Sequence, residues 1–137
     1  MRIQLQWDQS LKIGVAAMDR DHERLVAAMT EIEALNAKKA DKTTIGKAIE
    51  RLGALTVKHF EDEERYMGSI AFPDLSMHKV IHKDLLEKFQ AHAKAFATGD
   101  GTVNEEFNNF LVCWLRAHIR GIDAKYAQHA ARTPVKV

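Results

Sequence analysis

Apolar residues return every three or four positions along most of this chain, and that spacing predicts helices. The strict alternation that marks strands is nearly absent, and only two prolines and seven glycines punctuate the sequence. A first inward stripe runs through His22, Leu25, Met29 and Ile32, with Asp19 or Asp21 as the expected cap. Ahead of it, Trp7, Leu11 and Ile13 mark an extended arm. The polar run NAKKADK ends this helix, and a second begins near Asp41 or Thr43. Its inward positions are Ile45, Ile49, Leu52, Leu55, His59, Glu63 and Met67. The segment GSIAFPD breaks it, with Pro73 placed to open the third helix. That helix carries Leu75, His78, His82, Leu85, Phe89 and Phe96, and Gly99 stops it. Thr102 and Glu105 read as a capping box for a fourth helix with Phe107, Leu111, Trp114, Leu115 and His118. Gly121 is expected to interrupt it before a short helical tail.

Four helices of roughly 18–25 residues with short connections imply an all-α, up-down-up-down antiparallel four-helix bundle. An extended N-terminal arm and a short C-terminal helix would complete it. The 137 residues fit one domain. The expected division is an arm over 1–18, the bundle and tail helix over 19–130, and a tail over 131–137.

Charge and composition narrow the function by exclusion. Twenty basic against nineteen acidic residues leave a net charge of +1, without the basic excess of a nucleic-acid binder. No apolar run is long enough to span a membrane. The start, MRIQLQWDQSLKIG, lacks the apolar core of a secretory signal. Cys113 is the single cysteine, so no internal disulfide is available. These features together lead to an expectation of a soluble, cytoplasmic protein.

The histidines change the picture, because several fall on inward stripes. An unpaired polar group there costs several kcal/mol. His59 and Glu63 stand four residues apart, about 400° of helix rotation, so both project from one face. Alone, such a pair is usually a surface contact worth little. His78 and His82 repeat the spacing and can grip one metal jointly. A zinc protease would need Glu directly after the first histidine, and Lys79 stands there. His118 and Asp123 are five apart and would diverge by about 140° in an ideal helix. Gly121 between them is expected to take non-helical dihedrals and swing Asp123 back. His22 taken singly says little. Together, five imidazoles and two carboxylates offer about nine donor atoms, which suits two metals of the iron, zinc or copper kind sharing bridges.

The blocks GVAAMDRDH, HFEDEE, HKVIH and WLRAHIRGID, in this order and spacing, resemble those of bacterial hemerythrins from Trp7 to about Tyr126. The resemblance implies two non-heme iron ions per chain. His78, His82 and His118 would hold one, and His22 and His59 the other. Glu63, Asp123 and an oxo or hydroxo group would bridge them. It further implies that molecular oxygen binds at the two-histidine iron, in an apolar pocket of Leu25, Trp114, Leu115 and Ile119. The implied role is reversible oxygen transport or storage rather than catalysis. The alternative is an oxygen or redox sensor using the same site, and less favoured are a di-iron oxidase and an iron store. A ferritin-like oxidase uses four carboxylates and Glu-x-x-His pairs, and no histidine here has Glu three residues before it. His92 and His129 match no ligand position; they are expected at the bundle end and on an exposed tail. Cys113 is expected to be a small packing residue.

Overall fold

The computed structural model describes residues 9–132, apart from the side chains of Ser10 and Leu115, and their regular structure is helical. α1 spans Ala16–Ala37, α2 Lys42–Ser69 and α3 Leu75–Thr98. α4 covers Glu105–Cys113 and runs on as a π-helix over Trp114–Asp123, and α5 covers Ala124–Arg132. α1 packs on α2 and α2 on α3. The short connections make successive helices antiparallel, giving the four-helix bundle that the periodicity predicts. In the N-terminal arm a 3-10 turn at Gln9–Leu11 packs against the π-helix and buries Leu11. Trp7 lies outside the described residues.

Several helix boundaries differ from the sequence expectation. α1 begins at Ala16, and neither Asp19 nor Asp21 caps it; Val15 holds that position without a side-chain bond. Asp19 instead reaches back from the first turn, accepting the Ile13 amide at 2.8 Å and the Gly14 amide at 3.2 Å. A carboxylate there is favoured by the helix dipole as well. Asp41 does cap α2, accepting from the Thr44 amide at 2.8 Å. The expected Thr102–Glu105 box is not formed; Asn104 caps α4 through the Phe107 amide at 2.8 Å. α3 starts at Leu75, two residues beyond Pro73, and ends at Thr98 with Gly99 as its C-terminal cap. Leu55, read as inward, is 38% exposed. His129, expected on an exposed tail, is half-buried and donates from Nε2 to the Ile70 carbonyl at 3.0 Å. Cys113 is exposed rather than packed.

The core has two apolar parts. The larger includes Leu25, Met29 and Ile32 of α1, Ile45 to Phe60 of α2, Phe89 and Phe96 of α3, and Phe107 to Ile119. The smaller gathers Met18, Met67, Phe72 and Tyr126. On every bundle helix the inward histidines fall between a residue of one part and a residue of the other. Each fully buried Leu, Ile or Phe contributes about 1.5–3 kcal/mol. The two apolar clusters thus hold a polar layer between them.

Candidate metal centre

Each bundle helix delivers its share of that layer by simple spacing. α1 contributes His22, α2 His59 and Glu63, and α3 His78 and His82. His118 and Asp123 come from the π-helix. All seven are buried, none more than 3% exposed. The last pair is not brought together by a break. Gly121 does not take a left-handed conformation, and the chain stays helical through it. A π-helix bonds i to i+5, so residues five apart stack on one face. His118 Nε2 accordingly lies 3.0 Å from Asp123 Oδ1.

The donor atoms fall into two overlapping groups. Glu63, His78, His82, His118 and Asp123 form one, and His22, His59, Glu63 and Asp123 the other; within each, the atoms lie within 4.8 Å of one another. Glu63 and Asp123 belong to both. His82 Nε2 lies 2.9 Å from Glu63 Oε1, and His78 Nε2 lies 2.9 Å from Asp123 Oδ1. His59 Nε2 stands 3.2 Å from Glu63 Oε2, and His22 Nε2 3.1 Å from Asp123 Oδ2.

These approaches are mostly not hydrogen bonds. The Nε2 atoms of His59, His78, His82 and His118, Glu63 Oε1 and both Asp123 oxygens are buried without a hydrogen-bond partner. So many converging orphans would cost several kcal/mol each in an apolar interior. Shared cations would satisfy them together. Imidazole with carboxylate suits iron, zinc or copper better than calcium or magnesium. The residues present therefore fit a two-metal centre with two shared carboxylates.

Electrostatics point the same way. Burial alone would lower His22, but the neighbouring Asp123 and Glu63 carboxylates outweigh that and raise it to about 9. Burial likewise lowers His59, and the neighbouring Glu63 and Asp21 carboxylates outweigh that and raise it. Burial would raise Glu63, yet the imidazoles of His22, His59 and His82 hold it well below the usual carboxylate range. Burial and the Glu63 charge push Asp123 up, and His118 and His22 outweigh both to push it down. The layer thus keeps both carboxylates ionised and ready to bind a cation.

Other residues support the layer, and the sequence reading gave none of them a part in it. Tyr126, fully buried, donates its hydroxyl to Glu63 Oε2 at 2.6 Å. Phe60 stacks on His82 with ring centres 3.8 Å apart and planes 3° from parallel. Asp21 and Glu64 each meet the outer nitrogen of a histidine. Their sequence signal is faint: Tyr126 follows Asp123 by three residues, and the other three adjoin members of the layer. Of the expected pocket, Leu25, Trp114 and Ile119 are buried at 1%, 2% and 0% exposure, and the Leu115 side chain lies outside the described residues. Leu25 and His59 also line a surface cavity of about 200 Å³ between α1 and α2, together with Asp21, Arg24, Lys58 and Asp62. His92 stacks on Phe107 at the far end of the bundle, ring centres 5.2 Å apart.

Residues 13–130 match the profile of the family described as the hemerythrin HHE cation binding domain. A bacteriohemerythrin of Stenotrophomonas maltophilia is 27% identical over 123 residues, covering 90% of this chain and 79% of that protein. A myohemerythrin of Theromyzon tessulatum is 31% identical over 121 residues, covering 88% of this chain and 89% of its own length. Among solved structures, a hemerythrin carrying a leucine-to-alanine substitution superposes with a TM-score of 0.81 at 25% identity. That alignment covers 94% of this chain and 98% of the other.

Proposed function

This chain belongs to the hemerythrin family, and from that membership we propose that it binds molecular oxygen reversibly at a di-iron centre, as a carrier or store of oxygen. The observation that carries the reading is the pair of donor groups sharing Glu63 and Asp123. His78, His82 and His118 are the histidines of one iron, and His22 and His59 those of the other. Glu63 and Asp123, which belong to both groups, would be shared by the two.

When bound, an iron pair would supply the reversible two-electron chemistry that oxygen binding and release require. The protein's part is to hold, orient and keep dry. The two bridging carboxylates keep the ions together, and Tyr126 fixes Glu63 through its hydroxyl. The donor set is mostly neutral imidazole and carries little negative charge. That supports high-valent iron poorly, which favours carrying oxygen over activating it. The group with two histidines offers the fewer donors, so oxygen would bind on that side. Leu25, Trp114 and Ile119 form an apolar surround from which water and ions are excluded at the energetic cost of burying polar groups.

The family match over 13–130 supports treating residues 1–137 as one domain. Among the described residues no helix is long and apolar enough to cross a membrane. With a lone cysteine, the reading places the protein in the cytoplasm. The deciding experiment mixes the ferrous protein rapidly with oxygen and then flushes with argon. A charge-transfer band that rises with oxygen and disappears under argon, leaving the iron ferrous again, is expected. An irreversible passage to ferric iron in the first cycle would replace a carrier with an oxidase.

A further inference from the structure

His59 and His82 each turn one ring nitrogen toward the buried layer and the other toward a carboxylate outside it. His59 Nδ1 lies 3.1 Å from Asp21 Oδ2, and His82 Nδ1 lies 2.9 Å from Glu64 Oε2. A carboxylate only accepts, so in both pairs the imidazole donates and its proton sits on Nδ1. The neutral ring then presents a bare lone pair at Nε2. At His82 that lone pair faces Glu63 Oε1 across 2.9 Å, and at His59 it faces Glu63 Oε2 across 3.2 Å. Two electron-pair donors so close repel each other unless a cation lies between them.

Neither acid belongs to a donor group. Each sits next to a donor in sequence and reaches across to a donor on the following helix. Asp21 precedes His22 on α1 and meets His59 on α2. Glu64 follows Glu63 on α2 and meets His82 on α3. One supported histidine falls in each group, and the support is selective: His22 Nδ1 and His118 Nδ1 are buried without a partner. The acids are 23% and 27% exposed, so they carry charge without the full cost of burying it.

We propose that Asp21 and Glu64 are positioning residues, one for each metal position. They fix the tautomer and orientation of His59 and His82 and strengthen electron donation through Nε2. The inference rests on the di-iron reading above.

The test compares the full-length ferrous protein with D21N, D21A, E64Q and E64A. An amide oxygen still accepts from Nδ1–H, so the amide variants keep the orientation and lose the charge; alanine removes both. In competition with ferrozine, the alanine variants should bind iron roughly 10–100-fold more weakly, with the amide variants between. Melting of the metal-free chains is followed alongside, so that lost stability is read separately from lost iron affinity. In proton spectra of ferrous protein with nitrogen-labelled histidine, D21N should shift one imidazole N–H and E64Q a different one. Unmoved resonances with unchanged iron affinity would overturn the proposal, as would both variants moving the same resonance. Should an alanine variant fail to fold, the amide variants decide through their N–H resonances. A wild-type chain that takes up no iron would overturn the di-iron reading instead.

Discussion

His118 Nε2 and Asp123 Oδ1 stand 3.0 Å apart although five residues separate them. In an α-helix that separation turns the side chains about 140° from each other. The π-helix over Trp114–Asp123 removes the discrepancy by widening the turn, so no break in the chain is required. The wider turn also leaves the segment continuous with α5, which delivers Tyr126 to the back of Glu63.

Gly121 is therefore replaceable. A Cβ built there meets nothing within 4 Å, and its backbone does not lie in the left-handed region. Gly121→Ala should stabilise the metal-free protein by roughly 0.4–1 kcal/mol, because it restricts the unfolded chain. Urea unfolding with an iron assay alongside checks this. A destabilised variant, or one that loses iron, would mean that the glycine conformation matters after all.

The same segment shows what the sequence could and could not convey. The one-turn pairs His59 with Glu63 and His78 with His82 were legible, because α-helical periodicity alone puts four-apart residues on one face. So were the four stripes, since burial of Leu25, Ile45, Phe89 and Phe107 follows the same period. A π-helix leaves no comparable local signature, and a glycine near a five-residue gap reads more naturally as a break. Caps depend on which of several nearby polar residues meets the first turn: Asn104 and Thr102 are both good cap residues, and Asn104 takes the position. Contacts across helices, such as Glu64 with His82, depend on helix phase to a fraction of a turn. Only packing fixes that.

Replacing His78 or Glu63 with Ala should remove both irons rather than one. The two donor groups share Glu63 and Asp123, so Glu63→Ala takes a donor from both positions at once, and loss of His78 leaves the two buried carboxylates short of the cationic charge that holds them together. Metal analysis per chain is the measurement. A stable one-iron protein from both variants would show that the two positions are independent.

Loading iron should release protons, and the metal-free fold should weaken at alkaline pH. His22 rises from 6.5 to about 9 in the metal-free fold, so the folded chain holds that proton more tightly than the unfolded one. The resulting stabilisation is complete below pH 6.5, erodes as pH rises and is gone above 9. The urea midpoint of the metal-free chain should fall across that window. A metal needs the neutral ring, so at pH 7 uptake should expel a proton into a lightly buffered indicator solution. A flat midpoint with no proton released would argue against this charge state for His22.

Ile119 tests whether the apolar surround is functional or only packing. The residue is fully buried and follows His118, with Trp114 buried nearby in the same π-helix. The oxygenated protein would decay when protons from solvent let the bound oxygen leave as hydrogen peroxide with the two electrons, leaving ferric iron that no longer binds oxygen. A dry surround slows that decay, because water and ions are costly to place there. Ile119→Ser puts a hydroxyl and room for water into the wall. Decay should then quicken about tenfold or more, equivalent to about 1.4 kcal/mol or more off the barrier. The serine also removes buried apolar surface, so some loss of stability comes with it, and Ile119→Val separates the two effects. Valine keeps the wall apolar while giving up a methylene, at a cost of about 0.5–1.5 kcal/mol. The measurement is loss of the oxygenated spectrum in air, with iron content and melting temperature followed for all three proteins. Fast decay in the serine variant alone, at full iron content, marks the wall as the barrier to solvent. Equal decay in wild type and both variants would reduce Ile119 to core packing and remove it from the oxygen site.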